Sequence, residues 1–143
     1  MSTETATDTK PPANARPKGT VVPYLHLKDA SAASEFYQKA FGAQEVQRMP
    51  GEDGKRLIHC HLYLNDGSLM LSDFWPEHGF PYVAPAGYTI TLIVDDIDAW
   101  FKRAVDAGCE VKMPVETMFW GDRYGELSDP FGVRWAMNEQ AAA

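Results

Sequence analysis

The sequence predicts an α+β fold of two βαβββ modules, each a mixed sheet with a helix against one face. Three observations predict it. The order strand, helix, strand, strand, strand occurs twice, and the interval from Asp29 to Gly42 equals that from Asp95 to Gly108. In both copies the apolar residues change period from two to 3.6 and back. The stretch Trp120–Trp135 reads as a hairpin. Asp129-Pro130-Phe131-Gly132 holds the residues a type I turn prefers, and beyond it Val133, Trp135 and Met137 alternate with Arg134, Ala136 and Asn138.

The elements follow in chain order. Residues 1–18 are rich in Thr, Ala and Pro, with no aromatic or large aliphatic residue after Met1, and are expected to be a disordered tail. Val21–Leu27 is a strand with Leu25 and Leu27 on one face and Val22, Tyr24 and His26 on the other. Asp29 or Ser31 caps a helix with a stripe of Ala33, Phe36, Tyr37, Ala40 and Phe41, which Gly42 ends. Strands are expected at Gln44–Met49, Arg56–Leu64 and Ser68–Phe74, the last two joined by a hairpin turn at Asn65-Asp66-Gly67. In the middle strand Ile58, Cys60, Leu62 and Leu64 oppose His59, His61 and Tyr63. Three prolines and two glycines in residues 75–87 mark a linker or an ordered loop. The second copy has a strand at Tyr88–Val94 and a helix capped by Asp95 or Asp96, with Ile97, Trp100, Phe101, Ala104 and Val105 on its stripe. Gly108 ends that helix, and a short strand at Glu110–Lys112 precedes the hairpin. The expected organisation is one domain over 19–139, with module one at 19–76, a linker at 77–87 and module two at 88–139, and a short tail at 140–143.

Composition excludes several functions. A chain of 143 residues with 45% hydrophobic content suits one compact domain. The net charge of −7 argues against nucleic-acid binding and permits a cationic ligand, although an acidic balance also serves solubility alone. Cys60 and Cys109 make no disulfide framework and no zinc-knuckle spacing. No apolar run reaches the roughly 20 residues of a membrane span, and no apolar signal-peptide core is present near Met1. A cytoplasmic location is the expectation, with no membrane or nucleic-acid partner.

The helix text EFYQKAFGA, the segment DDIDAWFKRAVDAGCEV and the hairpin WGDRYGELSDPFGVRW resemble the vicinal-oxygen-chelate superfamily of glyoxalases, bleomycin-resistance proteins and extradiol dioxygenases. They are most similar to its small bacterial branch labelled demethylubiquinone-methyltransferase-like. The resemblance covers Thr20 to Asn138. It implies that the two modules curl into a cup with the helices outside, and that pairs of chains form homodimers. It also implies a metal held by four inward strand residues, usually His and Glu. Those positions fall at Val22, Met70, Thr89 and Ala136, none of which is a usual ligand for zinc, nickel or iron. The expectation is therefore no metal and no cofactor. No Gly-rich loop supports a methyltransferase.

The polar faces nevertheless carry groups suited to a small-molecule ligand. Tyr24, His26, His59, His61, Tyr63, Trp120, Glu126 and Arg134 are the candidate binding residues. His59 and His61 lie two apart on one strand and point the same way, a spacing that serves hydrogen bonding or, with His26 or Glu126, a relocated metal site. Arg134 either grips an anionic group or pairs with Glu126 across the hairpin. Trp120 either closes one end of the core or stacks on a ligand. Three functions remain open. One is a metal-free binding protein of the sequestering kind. Another is a lyase or isomerase using His59, His61 or Glu126 as acid and base. The third is an interaction module with a vestigial cup.

Overall fold

The computed structural model describes residues 15–142. The tail expected over 1–18 lies, for residues 1–14, outside the described residues. Eight strands and two helices follow in the order β1 (Tyr24–Leu27), α1 (Ala30–Phe41), β2 (Gln44–Pro50), β3 (Leu57–Leu64), β4 (Gly67–Asp73), β5 (Ile90–Ile93), α2 (Ile97–Ala107), β6 (Glu110–Thr117), β7 (Arg123–Ser128) and β8 (Arg134–Glu139). They form two four-stranded sheets of identical topology, β1-β4-β3-β2 and β5-β8-β7-β6. In each, the first strand runs parallel to the last and the other pairs are antiparallel. The doubled βαβββ order is thus the architecture of the chain. It divides into two compact units between Tyr82 and Val83, with Lys39–Gly42, the end of α1 and the glycine after it, assigned to the second.

Local chemistry explains the boundaries. Asp29 Oδ1 accepts from the Ala32 amide at 3.0 Å and Asp96 Oδ1 from the Ala99 amide at 3.2 Å, so one aspartate caps each helix. Gly42, at φ 71°, ends α1 in a conformation that costs a side chain about 1 kcal/mol or more. Module one turns from β3 to β4 through Asn65 and Asp66, both at positive φ, the two-residue hairpin of the primed type. Module two turns from β7 to β8 differently. Gly132 N–H bonds the Asp129 carbonyl at 3.1 Å, while the Asp129 carboxylate accepts from the amides of Phe131 and Val133 and from Trp135 Nε1.

In module one the core is Leu25 and Leu27 of β1, Cys60, Leu62 and Leu64 of β3, and Leu69 and Leu71 of β4. Each fully buried leucine contributes roughly 1.5–3 kcal/mol. Leu92, Leu127, Trp135 and Met137 are their counterparts in module two. No helix of the described residues is long and apolar enough to cross a membrane.

Two expectations need correction. The strand expected at Glu110–Lys112 runs to Thr117, through two irregularities that accommodate Pro114 at the sheet edge. Ile58 does not join Cys60 and Leu62 in the core. Opposite Met49 and Pro50, β3 advances two residues from His59 to Leu57 while β2 advances one. Ile58 is the extra residue of that bulge, and the kink exposes it by 54% while turning Leu57 inward to 1%.

Candidate functional site

Module one carries an aromatic cavity of about 370 Å³. Tyr24 and His26 reach it from β1 because alternation sends them opposite Leu25 and Leu27. The bulge delivers Ile58. Trp75 and Phe80 come from the segment after β4, which folds back on itself. Their amides and carbonyls exchange hydrogen bonds of 2.8 and 2.9 Å around a 3-10 turn at Pro76–His78, closed by Gly79 at φ 87°. Trp75 is fixed from three sides. Its Nε1 donates to the Leu57 carbonyl at 3.2 Å, Arg56 lies 3.8 Å from its ring centroid, and its edge packs where a Cβ on Gly51 would come within 2.2 Å. Arg56 is itself held by Asp53 and Glu77.

The cavity wall is largely apolar, and Ser72, Asp73, Glu52 and His78 are also among its lining. Asp73 is not free to bind a cation. Its carboxylate accepts from the Ala30 amide at 3.2 Å and the Leu57 amide at 2.6 Å, and burial pushes its pKa up. His26 and Phe80 present nearly parallel rings, 15° apart in plane, with centroids 6.4 Å apart. Tyr24 Oη lies 2.9 Å from His59 Nδ1. Burial lowers the His59 pKa and raises that of Tyr24, so both shifts favour the uncharged forms of the pair.

The other histidine of the pair is fully buried. His61 Nε2 lies 2.7 Å from Ser68 Oγ, which also accepts from the Lys18 amide at 2.7 Å, and His61 Nδ1 has no partner among the described residues. Tyr63 meets His61 edge-on and donates to the Arg16 carbonyl at 2.8 Å. In module two, Glu126 accepts from Arg134 at 2.8 Å through one oxygen and from Tyr124 at 2.9 Å through the other. The cross-hairpin ion pair is therefore formed. Trp120 is half exposed in the turn between β6 and β7, edge-on to Phe119 and Tyr124, rather than closing a core.

The structure thus gathers Tyr24 and His26 at one cavity, with His59 bonded to Tyr24, and Glu126 with Arg134 at another place. Sequence reasoning missed Ile58, Trp75 and Phe80. The aromatic pair flanking Pro76 and Gly79 was the available signal for the fold-back, and no local signal marked the bulge.

The four positions that the resemblance assigns to a metal do not fit one. Val22 and Ala136 have no donor atom, Met70 offers a soft thioether, and Thr89 is an exposed hydroxyl ahead of β5. Among the described residues no group of three or more His, Cys, Asp or Glu is arranged to hold an ion. Both cysteines are buried, with thiol pKa values pushed up to about 12, chiefly by burial, and are poor nucleophiles.

Comparison with known proteins agrees with this architecture. The family model of the Glyoxalase/Bleomycin resistance protein/Dioxygenase superfamily matches residues 23–137. The uncharacterized protein Mb0911c of Mycobacterium bovis is 44% identical over 123 residues, covering 82% of this chain and 80% of its own. The crystal structure of PA1353 from Pseudomonas aeruginosa superposes with a TM-score of 0.72 at 28% identity, covering 87% of this chain and 99% of that one. A Bacillus cereus protein described as a putative 3-demethylubiquinone-9 3-methyltransferase, PhnB protein, shares the fold with a TM-score of 0.63 at 21% identity, covering 85% of this chain and 100% of that one.

Proposed function

This chain belongs to the glyoxalase/bleomycin-resistance/dioxygenase superfamily, and from that premise we propose that it binds a small, flat, mainly apolar organic molecule in the aromatic cavity of module one, without a metal. One observation carries the reading. Ile58 and Phe80 remain 54% and 58% exposed at the wall of a cavity of about 370 Å³, although Leu57 beside Ile58 is buried to 1% exposure. Apolar surface held open in a preformed concavity gains roughly 25 cal/mol per Å² when a ligand covers it. The near-parallel His26 and Phe80 rings favour a flat ligand, each stacking contact adding about 0.5–1.5 kcal/mol. Two copies are proposed to pair through the apolar surface of Tyr82 and Val83. Sedimentation showing only monomer at micromolar concentration overturns that part.

A second reading, a metal-independent isomerase or lyase, is favoured by the Tyr24–His59 contact. An imidazole bonded to a phenol beside a cavity is a proton-transfer pair. Turnover of a bound compound that disappears in Tyr24→Phe while its binding persists would select this reading.

A thermal-shift screen of flat organic compounds tests the binding proposal. A ligand at a hundred times its Kd adds about 2.7 kcal/mol and raises Tm by several degrees. Ile58→Asp should abolish the shift while leaving the unliganded Tm nearly unchanged, because Ile58 already faces solvent. Chelators should leave the shift intact. A screen without hits, a shift that survives Ile58→Asp, or one equivalent of protein-bound metal that binding requires would each defeat it.

A further inference from the structure

Module two holds a second cavity, of about 460 Å³, lined by Pro85, Tyr88, Thr89, Lys112, Ser128 and Arg134 among others. Its counterpart in module one is filled, and the comparison shows how. Strand registers align the modules residue by residue. His61 pairs with Met70 as Glu126 pairs with Ala136, and Tyr63 pairs with Ser68 as Ser128 pairs with Arg134. Tyr24 pairs with Met70 as Thr91 pairs with Ala136, which places Lys18 and Pro85 at matching distances before β1 and β5.

In module one, Lys18 closes this place. Its amide bonds Ser68 Oγ at 2.7 Å, its ammonium lies 4.4 Å from the Tyr63 ring centroid, and the Tyr63 hydroxyl bonds the Arg16 carbonyl. In module two each closing part is replaced by one that cannot close. Pro85 has no amide hydrogen, Ser128 is small where Tyr63 is large, and Arg134 stands where Ser68 accepts.

Two cations line the open space. Lys112 reaches it because β6 carries a bulge: it advances two residues, from Val111 to Met113, while β7 advances one. The matching bulge of β2 places Val46 there instead. Arg134 is pre-oriented, since Glu126 engages only its Nη1 and is itself held by Tyr124. The remaining guanidinium edge is unused within the described residues. Lys112 has only a loose contact of 3.3 Å with the exposed Glu110.

We propose that this cavity binds the oxyanionic group, carboxylate or phosphate, of a small organic molecule, with Arg134 as the bidentate anchor, Lys112 as the second cation and the hydroxyls of Tyr88, Thr89 and Ser128 as further donors. The site is separate from the aromatic cavity, and its test does not depend on that reading.

The experiment is calorimetric titration of the full chain with methyl phosphate and with acetate, which lack the flat ring proposed for the aromatic cavity, at low ionic strength. Saturable binding of either probe is expected, and the tighter one identifies the preferred anion. Raising NaCl from about 20 to about 200 mM, which shortens the screening length roughly threefold, should weaken it. Arg134→Gln should reduce affinity at least tenfold and Lys112→Met several-fold, while Lys55→Met, an exposed cation outside the cavity, changes nothing. Because Arg134→Gln leaves Glu126 without its cation, Lys112→Met on the exposed edge strand serves as the variant that keeps the fold. Ser128→Tyr, which restores the bulk found in module one, should also abolish binding. Absence of saturation with both probes, or affinity unchanged in both Lys112→Met and Ser128→Tyr, overturns the proposal.

Discussion

At matching register positions the two sheets carry His61 against Glu126, Ser68 against Arg134, Tyr63 against Ser128 and Val46 against Lys112. Even the diagonal contact is kept, as His61–Ser68 at 2.7 Å in one module and Glu126–Arg134 at 2.8 Å in the other. Yet module one presents aromatic and imidazole rings around a largely apolar cavity, and module two presents a buttressed ion pair beside an open cationic one. All four histidines of the chain lie in the first compact unit, which runs to Tyr82. The difference teaches that the apolar face fixes where strands lie. The opposite face is constrained only by the need to satisfy its polar groups, and two chemistries meet that need on one backbone plan.

The hairpin turns offer the largest break in this symmetry. Asp129→Ala removes the acceptor for three donors, including the indole of fully buried Trp135, and should cost roughly 3–5 kcal/mol. The turn residue of module one, Asp66, has a side chain 98% exposed and works through its backbone at φ 62°. Asp66→Ala should cost about 1 kcal/mol, and Asp66→Gly less than that. Urea unfolding of the three variants checks the order; equal losses for Asp129→Ala and Asp66→Ala would mean the two turns are held alike.

Acid should act through module one. Burial lowers the pKa of both His59 and His61 below the usual 6.5, with His59 adding repulsion to His61. The unfolded chain therefore takes up these protons more readily than the folded one. Stability from the neutral rings is complete above pH 6.5 and is lost as pH falls through the folded-state values. The slope approaches about 1.4 kcal/mol per pH unit for each proton taken up. Thermal melts between pH 7.5 and 5 should show a shallower loss in His59→Gln than in the parent, and no change of slope in Tyr124→Phe, the module-two variant. A His59→Gln slope equal to the parent's would place the acid sensitivity elsewhere.

The smallest effect tests whether the shared bulge accepts either residue. Val46→Lys puts the module-two cation into module one at a partly exposed edge position, and should change stability by less than about 0.5 kcal/mol in urea. A loss of several kcal/mol would show that Val46 is a packing residue and that the two bulges are not interchangeable.

Much of this protein was legible in its residues because the relevant forces act over a few neighbours. Asp29 and Asp96 cap helices through an amide three residues away, Asn65-Asp66 turns through its own dihedral angles, and Leu25 and Leu27 alternate with Tyr24 and His26 by strand geometry alone. Those local rules also revealed the repeat. The face of each strand holding Tyr24, His59, Glu126 and Arg134 followed from the same alternation. What surrounds those groups did not. Ile58 reads as core in any period-two count, and only its pairing across β2 inserts the extra residue that turns it out. Trp75 becomes a cavity wall through Leu57, Arg56 and Gly51, none of which its neighbours in the chain identify. Lys18 fills one module and Pro85 leaves the other open because of hairpins about fifty residues downstream of each. Periodicity reports which way a side chain leaves its strand; bulges and closures depend on contacts between distant segments, so the tertiary structure alone decided where the cavities are.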